Sequence, residues 1–86
     1  MDLVSIITPC YNSERFIQET YQSIFNQTYK NWEWIIVDDC SKDSSVKIIN
    51  CFNDERVKLF IQDSNQGAAV ARNKALDIAK GKYITF

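Results

Sequence analysis

Residues 32–41 read Trp32-Glu33-Trp34-Ile35-Ile36-Val37-Asp38-Asp39-Cys40-Ser41, and the passage from WEWIIV to DDCS decides the fold. An unbroken apolar run rich in aromatic and β-branched residues suits a strand buried on both faces. The two acids stop it. Working toward the amino terminus, Leu3 to Thr8 is a second run of this kind and ends at Pro9. Between the two, Phe16, Ile17, Tyr21, Ile24 and Phe25 recur at helical spacing, so a helix is predicted over 14–27, with Asn12 or Ser13 as its cap. Working toward the carboxyl terminus, Ser41 or Asp43 can cap a short helix carrying Val46, Ile49 and Phe52. Val57, Leu59 and Ile61 alternate with Lys58 and Phe60, which predicts an edge strand.

Asp63 to Gly67 is a turn leading into a third helix over 68–80, whose Ala68, Ala71, Ala75, Ile78 and Ala79 share one face. Gly81 fits the stop position of that helix. Lys82 to Phe86 begins a fourth strand. The order is β-α-β-α-β-α-β: an α/β fold, with a mostly parallel sheet between helices and right-handed crossovers. Because the sequence stops within an apolar strand, it is expected to be a truncated N-terminal portion of a longer protein.

Composition narrows the function. The chain has 86 residues, 45% of them hydrophobic and 24% charged, as in ordinary globular domains. A formal net charge of -1 disfavours nucleic-acid binding, and no apolar run is long enough to span a membrane. Met1-Asp2 does not open a secretory leader. The three cysteines, Cys10, Cys40 and Cys51, match no zinc spacing, there is no histidine, and the thiols are read as reduced and inert in a cytosolic setting. With only Gly67 and Gly81, neither a G-x-G-x-x-G turn nor a P-loop can be written.

In open α/β sheets, ligands bind beyond the carboxyl ends of the strands. Pro9, Tyr11, Asn12, Asp38 and Asp39 fall there, with Asn65 and Gly67 in the next loop and Arg72 on the third helix. Two readings stand for each. Asp38 and Asp39 either cap a turn or accept hydrogen bonds from a ribose or base, or hold a cation. Tyr11 is a surface aromatic or a platform for a nucleobase. Arg72 is a solvated helix cation or faces a diphosphate. Asn65 and Gly67 read most simply as turn and cap, and Trp32 and Trp34 as core.

VSIITPCYN (4–12), SIFNQTYKNWEWIIVDDCSKDSS (23–45), NQGAAVARNKAL (65–76) and AKGKYITF (79–86) together resemble the family 2 glycosyltransferases of the GT-A fold. The four stretches cover essentially the whole chain, in order. The resemblance implies the nucleotide-sugar-binding half of a catalytic domain, residues 1–86, a Rossmann-like α/β/α half-domain with strand order 3-2-1-4. It implies transfer of a sugar, with inversion, from a UDP-sugar or similar donor to an acceptor hydroxyl, in surface polysaccharide synthesis at the cytosolic face of the membrane.

Pro9, Tyr11 and Asn12 would line the nucleotide pocket, Tyr11 against the base. Asp38 and Asp39, the second above all, would contact uracil or ribose. Asn65, Gly67, Arg72 and Asn73 would shape the base and diphosphate side. Mg²⁺ or Mn²⁺ would serve the intact enzyme, its Asp-x-Asp ligands and the catalytic base being expected beyond Phe86. This chain alone is therefore expected to hold no metal and to lack transferase activity. Cys40 stands where the family has Gly, which predicts a turn there without positive φ. The exposed last strand favours self-association. The donor sugar and acceptor are not given by the sequence. Two alternatives are a receiver-like signalling domain, which WIIVDD also resembles, and a non-catalytic α/β interaction module.

Overall fold

The computed structural model describes residues 2–85, and seven elements follow the predicted order. They are β1 (Val4–Cys10), α1 (Ile17–Asn26), β2 (Trp32–Asp38), α2 (Ser45–Asn50), β3 (Val57–Ile61), α3 (Ala68–Ile78) and β4 (Tyr83–Thr85). All strand pairs are parallel and the sheet order is β3-β2-β1-β4. β3 is an edge, as its alternation predicts. The other edge is β4, whose three residues are exposed; Phe86, the last residue of the predicted fourth strand, lies outside the described residues.

β2 is buried at every position because the two sides of its pleat serve two cores. Trp32, Trp34 and Ile36 pack with Ile17, Ile49 and Phe52, under α1 and α2. Ile35 and Val37 pack with Ile7, Ala71 and Ala75, under α3. Tyr21, Phe52 and Trp34 stack in the first core, with ring centroids 4.1 Å apart for Tyr21–Phe52 and 6.0 Å for Trp34–Phe52. The alanines of α3 let the helix lie against the sheet, and Ala71 and Ala75 are fully buried.

Several boundaries differ from the sequence reading. β1 continues through Pro9 to Cys10, in register with Val37 and Asp38 of β2. α1 starts at Ile17, not 14: the N–H groups of Phe16 and Ile17 donate to the Ser13 carbonyl in a preceding turn. Neither Asn12 nor Ser13 caps it through its side chain; the Asn12 Oδ1 accepts the Lys42 N–H and the Ser13 hydroxyl donates to the Tyr11 carbonyl. Phe16 is 64% exposed and does not join the core face. Ser44 is the N-cap residue of α2, but the Asp43 carboxylate accepts the Ser45 N–H at 2.9 Å, so Asp43 provides the capping bond and Ser41 does not.

α3 ends at Ile78, and Gly81 is not its left-handed stop. The Lys80 N–H donates to Glu33 Oε2 at 2.7 Å and the Gly81 N–H to Ser5 Oγ at 2.8 Å, which takes the chain off the helix. Gly81 is needed for closeness. A Cβ there would lie 2.5 Å from Ser5 Oγ, 2.7 Å from Ser5 N and 2.9 Å from the Leu3 carbonyl oxygen.

Candidate functional site

Parallel strands bring the ends of β1 and β2 and the start of α3 to one rim. The Asp39 N–H donates to the Cys10 carbonyl, and the Gln62 N–H to the Asp38 carbonyl, both at 2.8 Å, so the ladder runs one rung beyond the strands. Pro9, Cys10, Tyr11, Asp39 and Ala68 line a cleft of about 50 Å³ here. That is room for a water or two, so a ligand would lie across its mouth. The larger open grooves, along α1 and at the opposite end of the sheet, are lined by none of the eight candidate residues.

The two acids part company. Asp38 is fully buried, and its oxygens accept the Ser41 N–H at 2.9 Å and the Ser41 hydroxyl at 2.5 Å, the turn-capping arrangement. Asp39 faces the cleft and gathers the start of α3. Its Oδ1 accepts from Gln62 Nε2 at 3.0 Å and the Gln66 N–H at 2.7 Å; its Oδ2 accepts the Gly67 N–H at 2.8 Å. The Gln66 N–H, above all, holds its carboxyl below the usual range; burial works against this, and Gly67 and Gln62 add to the lowering. Gly67 has φ 97 with ψ 157, which a side chain would strain, and this presents its N–H to Asp39.

Asn12 belongs to a zip between two loops. Its N–H donates to Ser41 Oγ at 2.9 Å and its Oδ1 accepts the Lys42 N–H at 2.8 Å. Beside it the Ser13 N–H donates to Ser45 Oγ at 2.7 Å. The predicted absence of positive φ at Cys40 is wrong: its φ is 63. The bond from Asp38 to Ser41 draws the chain round tightly enough to need that geometry, whichever residue stands there. Cys10 lines the cleft and is buried; burial above all pushes its thiol up, consistent with an unreactive group. All three cysteines are free.

Pro9, Tyr11 and Asp39 are thus brought together at the cleft, with Gly67 bonded to the last. Asn65 and Arg72 are exposed on the α3 side and do not line it. Gln62, Gln66 and Ala68 went unnoticed among the candidates. Only a position one past an edge strand, opposite the acid pair, could have pointed to Gln62.

The chain is similar to known proteins along its whole length. A putative teichuronic acid biosynthesis glycosyltransferase of Bacillus subtilis, TuaG, is 48% identical over 98% of this chain and 34% of its own length. A UDP-Glc:alpha-D-GlcNAc-diphosphoundecaprenol beta-1,3-glucosyltransferase of Escherichia coli, WfaP, is 50% identical over the whole chain and 34% of its own length. The chain thus spans about a third of the curated relatives it matches. Among solved structures, S. aureus TarS in complex with UDP-GlcNAc superposes with a TM-score of 0.92 at 34% identity, over all of this chain and 26% of TarS. The receiver-like alternative finds no support in these neighbours. The family model described as Glycosyl transferase family 2 matches residues 5–86, and the chain belongs to that family.

Proposed function

We propose that this chain is the donor-binding part of an inverting glycosyltransferase that moves a sugar from a UDP-sugar to an acceptor hydroxyl in surface polysaccharide synthesis. The observation that carries the reading is Asp39: an ionised carboxylate at the cleft beside Tyr11, held by three amide-type donors. A uracil ring N–H would donate to the carboxylate while the base stacks on Tyr11. The names of the E. coli relatives, which give a UDP-Glc donor and a diphosphoundecaprenol-linked acceptor, support the substrate class. On this reading Asp38 and Asn12 fix the rim and do not contact the base, while Asn65 and Arg72 meet the ligand farther out, on the diphosphate side.

A divalent cation, Mg²⁺ or Mn²⁺, would accompany the diphosphate in the intact enzyme. A mannosyltransferase of Pyrobaculum calidifontis, 29% identical to this chain, was solved with GDP-Man and Mn²⁺. The described residues do not fit such an ion. They contain no cluster of three or more His, Cys, Asp or Glu placed to hold a metal, and Asp38 and Asp39 already accept bonds from within the chain. No helix among the described residues is long and apolar enough to cross a membrane; work on a lipid-linked acceptor would place the protein at the cytosolic face. The exposed β4 edge would recruit a second strand, and self-association through it is part of the proposal.

The test is an amide-shift titration of the labelled chain with UDP, and with ADP as control. Shifts at Tyr11, Asp39 and Gly67 with UDP and not with ADP are expected. A dispersed spectrum unmoved by millimolar UDP would overturn the reading.

A further inference from the structure

We infer that Gln62 is a positioning residue that tunes which nucleobase edge the cleft accepts, by fixing Asp39 Oδ1 with a neutral donor and leaving Oδ2 to a ligand. This rests on the proposed nucleotide reading. The geometry is local and buried. Gln62 is the first residue past β3 and is 5% exposed; its N–H donates to the Asp38 carbonyl at 2.8 Å, which fixes where its side chain leaves the backbone. From there Nε2 reaches Asp39 Oδ1 at 3.0 Å. Oδ1 also takes the Gln66 N–H, so two donors occupy it, whereas Oδ2 takes only the Gly67 N–H. A carboxylate oxygen offers about two lone-pair sites. The one left on Oδ2 is available to a ligand.

The chemistry of the partner matters as much as its reach. An amide donates without carrying charge. A lysine or arginine at the same place would neutralise Asp39 and compete with any ligand donor. None of the three ion pairs among the described residues involves Asp39. The groups around it are few. Cys10 and Tyr11 line the cleft from β1, and Asp38 precedes it with its carboxylate turned to Ser41. Lys42 Nζ lies 3.9 Å from the Cys40 sulfur, Asp63 follows Gln62 and is exposed, and the first turn of α3 carries no charge, Arg72 being exposed one turn on. A bare carboxylate accepts a ring N–H, as uracil presents. It repels the unprotonated ring nitrogen that cytosine presents at the same edge. By fixing Oδ1 with a neutral donor, Gln62 positions Asp39 to meet that donor edge through Oδ2.

Two substitutions separate this from a packing role. Gln62→Met keeps the volume and removes the donor. Gln62→Glu places a second carboxyl against the first, so that one of the pair keeps a proton to higher pH. Carbon-13 carboxyl titration of Asp39 is the readout that needs no ligand, and UDP and CDP titrations give the selectivity. Gln62→Met should raise the Asp39 midpoint and weaken UDP about tenfold. Gln62→Glu should erode the preference for UDP over CDP at low pH and regain it as pH rises. Should Gln62→Met fail to fold, Gln62→Glu carries the test alone. An Asp39 midpoint and a UDP/CDP ratio that stay put in a folded variant would overturn the inference. If the unsubstituted chain ignores UDP while the Asp39 midpoint still moves on substitution, the nucleotide reading fails and the positioning of Asp39 by Gln62 is supported.

Discussion

Glu33 is the second residue of β2 and Asp39 the first past its end, and the two carboxylates are equally buried, 3% and 4% exposed. Their surroundings differ. Glu33 Oε2 accepts the Ser5 hydroxyl at 2.5 Å and the Lys80 N–H at 2.7 Å, and Oε1 pairs with Lys58 at 2.9 Å. It therefore joins β1, β3 and the segment leading into β4 to β2, and its charge is met by a cation. Asp39 takes only neutral donors, from the loop that begins α3, and its charge is left facing a cleft. The strain is distributed in the same way. Among the described residues, the two non-glycine residues with positive φ, Asn12 and Cys40, both lie at the carboxyl rim. Such backbone persists only where surrounding hydrogen bonds hold it, as those of Asp38 and Lys42 do here. One end of the sheet neutralises its buried carboxylate, and the other leaves its carboxylate beside a cleft.

The largest test of that contrast is to break the neutralised end. Glu33→Ala leaves the Ser5 hydroxyl, the Lys80 N–H and the Lys58 ammonium without their acceptor. Removing one partner of a buried pair costs about 3–5 kcal/mol. Lys58 has a side chain 39% exposed and can turn to water, so we expect about 3 kcal/mol, at the low end of that range, read by urea unfolding. Acid makes the same cut without mutation. Burial alone would raise the Glu33 pKa, but the Ser5 hydroxyl, the Lys80 N–H and Lys58 outweigh it and hold the group at about 2. The folded value lies below the unfolded one, about 4.3. The stabilisation is therefore complete above the unfolded value and is lost as pH falls toward 2, for a total of about 3 kcal/mol. Glu33→Gln should flatten stability against pH in this window. An unchanged acid limb would remove Glu33 from the account.

A smaller effect comes from Gly81, on the same end. Gly81→Ala puts a methyl against backbone atoms of Ser5 and Leu3 that cannot swing aside, so the segment before β4 must move outward. Overpacking of this kind costs about 1–3 kcal/mol. Amide exchange should quicken in β4 first, and the Asp39 rim should be undisturbed. Changes at Tyr11 or Gly67 would mean that the two ends are coupled.

The fold was legible because it rests on patterns that survive in one dimension. WEWIIV is apolar throughout because β2 has two buried faces, and the small residues of α3 announce close packing. The family pattern in the four stretches placed the rim. Partnerships that depend on where two distant turns meet were not legible. Nothing in the residues near Glu33 says that Lys80, 47 positions on, will cap it. Gln62 reads as the ragged end of a strand until β3 is set beside β2. Of the acid pair, local sequence could not say which carboxylate turns inward to Ser41 and which faces the cleft. That follows from the alternation of the strand carried one residue past its end. A cysteine is not expected at positive φ, but residue preference does not set the backbone at Cys40. The hydrogen bonds of the Asp38 turn set it instead.

The smallest expected effect sharpens the contrast at the rim itself, by asking whether each strained residue is there for its side chain. Cys40 and Asn12 have nearly the same φ, 63 and 49. The Cys40 sulfur has only weak neighbours, the Asp63 carbonyl oxygen at 3.8 Å and Lys42 Nζ at 3.9 Å. A side chain in the left-handed region costs about 1–2 kcal/mol, and glycine escapes it at the expense of a more flexible unfolded chain, about 0.5–1 kcal/mol. Cys40→Gly should therefore stabilise the chain slightly, by about 0.5–1 kcal/mol. Asn12→Gly relieves the same φ, but asparagine tolerates that region well and here its Oδ1 holds the Lys42 N–H. Losing that bond should outweigh the relief, giving a net loss of about 1 kcal/mol. Opposite signs for glycine substitutions on the two facing loops, measured by thermal unfolding at the same pH, would show that the rim is shaped by the hydrogen bonds between its loops. Equal signs would mean that backbone strain alone decides its stability.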